Sequence, residues 1–218
     1  MRTTLPTGTP AEVARPDGEP GRGLVLLPDI GGLRPLFDDH AGRLAREQGW
    51  VVVVPEPWPG REHLPVEERL ESVGSLDDDV VLGDALAAAD LCGVEPVGVL
   101  GFCMGGMFAL KAAATSRFDR AVAFYGMVRL PDRWRSPTQA EPLDAVARAH
   151  RTRVLMLCGT EDPWVSAADL DALELAGAEV VRYPGADHGF AHDSGRPAHR
   201  PDAAADAWRR ATAFLRGD

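Results

Sequence analysis

The sequence predicts an α/β protein built on a mostly parallel central sheet with helices on both faces. Two observations carry this expectation. Short unbroken apolar runs bounded by Gly or Pro recur along the chain, and segments of helical periodicity alternate with them. A run without polar alternation suits a strand buried on both faces. Regular alternation of strand and helix favours parallel pairing through helical crossovers.

The expected strands are Leu24–Pro28, Val51–Pro55, Val97–Leu100, Ala121–Tyr125, Val154–Cys158 and Val180–Tyr183. Between them lie helical patterns. Leu36–Gln48 places Leu36, Phe37, Ala41, Leu44 and Ala45 on one face and stops at Gly49. Leu76–Leu91, Met104–Thr115 and Ala167–Leu175 follow, and Asp202–Leu215 closes the chain behind Pro201. Gly126–Pro142, rich in Pro and charge, reads as a long loop beside the sheet. No repeat or linker divides the chain, so one domain over 1–218 is expected, with 1–23 as a short leading segment and no separate lid domain.

Bulk properties narrow the function. With 218 residues and 45% apolar content the chain can bury a sizeable core. A formal charge of −10 disfavours a nucleic-acid partner, because phosphate binding relies on clustered Lys and Arg. Lys111 is the one lysine, and the arginines are scattered among acids. The first residues lack the apolar run of a signal peptide, and no segment reaches the roughly eighteen apolar residues of a membrane span. Cys92, Cys103 and Cys158 have neither disulfide-framework nor metal-ligand spacing. A cytoplasmic protein without metal or membrane partner is expected, as a monomer or homodimer.

The strongest local signal is Val97-Gly-Val-Leu-Gly101-Phe-Cys103-Met-Gly105-Gly106. A strand runs through G-x-C-x-G-G straight into a helix, the nucleophile-elbow pattern of the α/β-hydrolase fold with Cys in place of Ser. So sharp a turn strains the residue at its tip and forces neighbouring backbone together; glycines remove the Cβ atoms that would clash. Cys103 then sits at a helix N-terminus, where partial positive charge favours a thiolate. A buried, inert Cys in a Gly-rich turn is the competing reading.

An activated thiol needs a base, and the base an orienting acid. In this fold the chain order is nucleophile, acid, base, with acid and base in loops after later strands. Val154–Cys158 is followed by Gly159-Thr-Glu161-Asp162, and Val180–Tyr183 by Pro184-Gly-Ala-Asp187-His188. Asp162 and His188 are therefore the expected acid and base. Glu161 is a rival orienter, His192 and His199 are rival bases, and Asp187 reads as a turn former. His40, His63 and His150 are expected at the surface.

Taken together, Pro28-Asp-Ile-Gly-Gly32, the G-F-C-M-G-G elbow, Phe124-Tyr-Gly126, Gly159-Thr-Glu-Asp162 and His188-Gly-Phe190 resemble the dienelactone hydrolase family, from Leu24 onward. The resemblance implies hydrolysis of a small lactone or enol ester through a cysteine thioester, without cofactor or metal. It implies Ile30 and Met104 as backbone N–H donors of an oxyanion hole. It also implies Asp29 as a thiol-activating acid, where the family usually has glutamate; a turn-capping Asp is the alternative.

Two departures from the family pattern follow. His192 stands where the family has an arginine four residues after its catalytic histidine, and Arg61 and Arg69 are candidates for a second family arginine. The leading segment looks too short for the family's hairpin, so a sheet one strand smaller is expected. Phe102, Tyr125, Trp134, Trp164, Phe190 and His192 are the pocket candidates. A broad short-chain esterase or thioesterase, and a non-catalytic ligand-binding or thiol-sensing protein, are the alternative functions.

Overall fold

The computed structural model describes residues 1–218 and contains one eight-stranded sheet. The strands are β1 (Arg2–Thr4), β2 (Pro10–Ala14), β3 (Arg22–Leu27), β4 (Trp50–Pro55), β5 (Val97–Phe102), β6 (Arg120–Phe124), β7 (Arg153–Gly159) and β8 (Glu179–Tyr183). Their order is β1-β2-β4-β3-β5-β6-β7-β8. From β4 to β8 all pairings are parallel; β1–β2 and β2–β4 are antiparallel. Every residue of β3, β4 and β5 is buried, as their unbroken apolar runs require.

The leading segment corrects the expectation of a smaller sheet. Arg2–Thr4 and Pro10–Ala14 form a hairpin, and Ala11 to Ala14 pair with Val52 to Pro55. The hairpin was hidden because β1 has three residues and β2 begins at a proline. The turn between them holds Gly8 at φ 93°, and a proline or glycine every few residues reads as loop.

Helices α1 (Pro35–Gln48) and α7 (Pro201–Arg216) cover one face of the sheet, and α3 (Asp78–Cys92) and α4 (Met104–Ala112) the other. Two short helices escaped the periodicity analysis, α2 (Val66–Ser72) and α5 (Pro142–Ala147). Few residues and no wide apolar stripe leave such segments without a helical signal. Helix α6 (Ala167–Leu175) starts with a reciprocal cap: Ser166 Oγ accepts from the Asp169 amide, and the Asp169 carboxylate from the Ser166 amide. Gly49 ends α1 in a left-handed conformation at φ 69°.

The topology decides where a site can form. The chain passes from β3 to β4 on one side, then returns to place β5 on the other side of β3. Leu27 at the end of β3 is thereby in register with Gly101 near the end of β5. At such a switch point the loops leaving adjacent strands diverge and open a crevice at the carboxyl edge.

Candidate active site

At that edge β5 ends in the elbow. Cys103 has φ 55° and ψ −117°, a conformation that side-chain-bearing residues avoid, and its backbone is held by donation from its amide to Phe124 O at 3.0 Å. The glycines are sterically required. A Cβ on Gly101 would overlap the Gly105 carbonyl, one on Gly105 would overlap the carbonyls of Leu27 and Pro28, and one on Gly106 would come within 2.8 Å of Phe124 O. The Cys103 side chain remains partly exposed, whereas Cys92 and Cys158 are buried. Burial pushes the Cys92 thiol up to about 11, so it stays protonated and inert.

The loops after β7 and β8 meet beside the elbow. His188 Nδ1 lies 2.9 Å from Asp162 Oδ2. The other carboxylate oxygen accepts the Trp164 amide at 2.9 Å, so Asp162 cannot swing away. Its side chain is fully buried and that of His188 nearly so. Burial disfavours the imidazolium, but the Asp162 hydrogen bond and the Cys103 thiol outweigh it and drive the His188 pKa up to about 10. His188 Nε2 is buried without a hydrogen-bond partner in the protein, and Cys103 is near enough to help raise the pKa of the ring. Glu161 is exposed and bonds through its backbone alone, and Asp187 caps the His188 amide at 2.6 Å. His199 makes no contact with the elbow.

The Ile30 amide leaves β3 in the loop across the switch point and donates to no protein acceptor. Met104 is the first residue of α4, where amides have no intrahelical carbonyl to bond. The Ile30 carbonyl, in contrast, is clamped: Trp58 Nε1 donates to it at 3.0 Å and Arg69 Nη1 at 3.3 Å. Arg69 also donates to the Leu64 and Glu62 carbonyls and is buried, so it is a brace for this loop and not a free anion ligand. Glu56 completes the brace by accepting the Leu33 and Trp58 amides. The sequence offered no signal for these contacts, which join segments some thirty residues apart.

Three expectations need correction. Asp29 does not bond the thiol. Its carboxylate accepts from the Gly31 amide, from Arg34 at 2.6 and 3.0 Å, and from His192 Nε2 at 2.8 Å, which leaves it no direction toward sulfur. The His192 side chain is fully buried, with Nδ1 2.6 Å from Tyr125 Oη, and offers no surface to a substrate. Phe102, Tyr125, Trp134 and Phe190 are buried packing residues at 1% exposure or less, because strand-end aromatics fill the gap under the loops. Trp164 alone of the pocket candidates is partly exposed. It stacks on Trp134 at 5.4 Å and lies 6.3 Å from the His188 ring.

His40 also departs from its expected surface position. It packs between Phe102 and Trp208, and burial brings its pKa down to about 4. A cavity of about 210 Å³ lies on the α3 side of the elbow, bounded by Pro28, Pro57, Arg61, Leu76, Met104 and Phe108. It reaches the backbone of the elbow helix without touching Cys103 or His188. No helix is long and apolar enough to cross a membrane, and no three His, Cys, Asp or Glu side chains are grouped as a metal site.

A parallel sheet with a sharp strand-to-helix turn at its carboxyl edge, and an acid and a histidine from the last two strand loops beside it, defines an α/β-hydrolase. The model of the dienelactone hydrolase family matches residues 9–217, and the chain belongs to that family. A carboxymethylenebutenolidase of Rhodococcus opacus is 33% identical over 219 residues, covering 93% of this chain and 83% of the relative. A Bradyrhizobium protein provisionally named 2-oxo-3-(5-oxofuran-2-ylidene)propanoate lactonase is 31% identical, over 88% of this chain and 82% of its own. A solved structure from Klebsiella pneumoniae, provisionally described as a dienelactone hydrolase, superposes with a TM-score of 0.89 at 26% identity, over 99% and 97% of the two chains.

Proposed function

We propose that this chain hydrolyses a small lactone or enol ester through a thioester on Cys103, with His188 as base and Asp162 as its orienter. The observation that carries the reading is the placement of His188, bonded to Asp162 through Nδ1 while the opposite ring nitrogen is buried, unpaired and adjacent to the thiol. The names of the Rhodococcus and Bradyrhizobium relatives support the substrate class.

The chemistry follows from these positions. Cys103 Sγ attacks the substrate carbonyl as thiolate, its proton already carried by His188. The carbonyl oxygen becomes an oxyanion held by the Ile30 and Met104 amides, donors fixed before the charge develops. Collapse expels the enolate or alkoxide, which takes the proton from His188 and leaves an acyl group on sulfur. His188 then draws a proton from water, hydroxide adds to the thioester, and the acid departs as the thiol is restored. Asp162 accepts the hydrogen on Nδ1 and stabilises the imidazolium. The Trp164–Trp134 stack forms an apolar wall beside the reacting carbonyl. No inserted domain covers the edge, which suits a small molecule.

The reading is tested by treating the protein with iodoacetamide and assaying p-nitrophenyl acetate. Alkylation at Cys103 is expected to stop turnover, and Cys103→Ala to reduce it by about a thousandfold or more while the fold persists. Undiminished turnover after full alkylation overturns the proposal.

A further inference from the structure

The carboxylate of Asp29 and the ring of His192 form a buried pair that the proposed reaction does not use. Asp29 sits in the loop after β3, one peptide bond before Ile30. Its side chain is 3% exposed and that of His192 is fully buried. Four donors converge on this one carboxylate: the Gly31 amide, two nitrogens of Arg34, and His192 Nε2. Burial alone would protonate Asp29, but the hydrogen bonds from His192 and Arg34 reverse the effect and hold it ionised.

His192 is itself fixed on every side. Its Nδ1 pairs with Tyr125 Oη at 2.6 Å, and its ring stacks on Phe102, the residue before Cys103, at 5.0 Å. Its carbonyl is 2.7 Å from His40 Nε2. Burial keeps the imidazole neutral. A neutral ring can serve both partners in one arrangement only: the Tyr125 hydroxyl donates to Nδ1, and Nε2–H donates to Asp29. The chain Tyr125–His192–Asp29 therefore has a single sense and ties the loop after β8 to the loop after β3.

We infer that His192 is a positioning residue for the oxyanion hole, acting through Asp29 to aim the Ile30 N–H at the reacting carbonyl. The inference rests on the reading of Ile30 as an oxyanion donor. Its physical basis is leverage over one amide. The peptide plane between Asp29 and Ile30 is set by the backbone of Asp29, whose side chain is locked from both ends. The carbonyl on the far side of Ile30 is locked by Trp58 and Arg69. Without His192, Asp29 Oδ2 keeps Arg34 alone of its two partners, and the carboxylate is held by Arg34 and the Gly31 amide, both from the loop that leads into α1. A small displacement of a donor matters because an oxyanion hole acts through its geometry.

This role separates experimentally from a role in thiol activation. Alkylation of Cys103 by iodoacetamide forms no oxyanion, so it reads the thiol and His188 without the hole. His192→Ala is expected to lower kcat on p-nitrophenyl acetate by about ten- to a hundredfold. KM and the alkylation rate constant should change less than about twofold. His192→Gln, whose amide can still donate to Asp29, should recover most of kcat. Undiminished kcat in His192→Ala, or an alkylation rate falling in step with kcat, overturns the inference.

If His192→Ala does not fold, Tyr125→Phe carries the test: it removes the donor to Nδ1 and should lower kcat several-fold at an unchanged alkylation rate, and an unchanged kcat refutes the linkage. If alkylated wild-type protein still turns over the ester, the reading of Cys103 as nucleophile has itself failed. That result is distinct from every outcome with the His192 variants.

Discussion

His188 and Asp162 are separated by 26 residues in the chain, yet Nδ1 of one stands 2.9 Å from Oδ2 of the other. The sheet brings them together. Parallel strands β7 and β8 are neighbours, Gly159 is in register with Tyr183, and the loops leaving them run side by side. Gly159 lies so close to Ala186 that a Cβ there would overlap the Ala186 carbonyl. The close approach of the two loops lets an aspartate meet a histidine without a long side chain on either.

The His188–Asp162 bond makes stability pH-dependent on the alkaline side. An imidazole with a folded pKa near 10 instead of 6.5 stabilises the fold in its charged form. That contribution is complete below 6.5 and is lost as pH rises through about 10. Thermal melts should therefore show Tm falling along this limb in the wild type. Asp162→Asn should flatten the limb, because its amide stabilises the imidazolium far less.

On the acid side the sign reverses. His40 has its pKa brought down to about 4 by burial, so protons bind the unfolded chain first. Stability is lost as pH falls from 6.5 through about 4. His40→Gln can keep a donor toward the His192 carbonyl without a charge to acquire, and its Tm should fall less across that interval. An identical acid limb in both proteins would show that His40 titrates normally.

Lys111, on the elbow helix, is 2% exposed and donates to Asp78 at 2.7 Å and to Gln139 at 3.1 Å. It pins the segment after β6 to the start of α3 and the end of α4. Removing one partner of a buried ion pair leaves the other charge unpaired. Lys111→Ala should cost about 3–5 kcal/mol in urea unfolding. Lys111→Ala combined with Asp78→Ala should cost less than the sum of the two single changes.

The Trp164 indole borders His188 and stacks on Trp134. Trp164→Ala is expected to raise KM for aryl esters by about three- to tenfold, with a smaller effect on short alkyl esters, in line with the loss of one apolar contact. Equal changes for both would place the ring outside the substrate path.

Much of this was legible before any coordinates, and the boundary is physical. The inner parallel strands β3 to β7 announced themselves because burial on both faces leaves little room for polar residues, whereas β8, at the sheet edge, keeps Glu179 and Arg182. Cys103, Asp162 and His188 stood out because each follows an apolar run at a fixed point of the fold. The network around Asp29 did not, since His192, which bonds it, and Tyr125, which bonds His192, come from two other loops whose meeting depends on packing and not on spacing. The leading hairpin was lost for the opposite reason: Arg2–Thr4 is too short and too exposed to leave an apolar pattern. The aromatic residues misled, because Phe102 and Phe190 look like pocket walls in sequence and are core in space.

The most direct test of a thioester on Cys103 is to quench the protein during turnover of p-nitrophenyl acetate with acid and locate the acyl group by peptide mass spectrometry. The account predicts one acetyl group on the peptide that carries Cys103, absent from Cys103→Ala and long-lived in His188→Ala wherever acylation still occurs. An acetyl group on another side chain that forms and decays at the rate of turnover would contradict it.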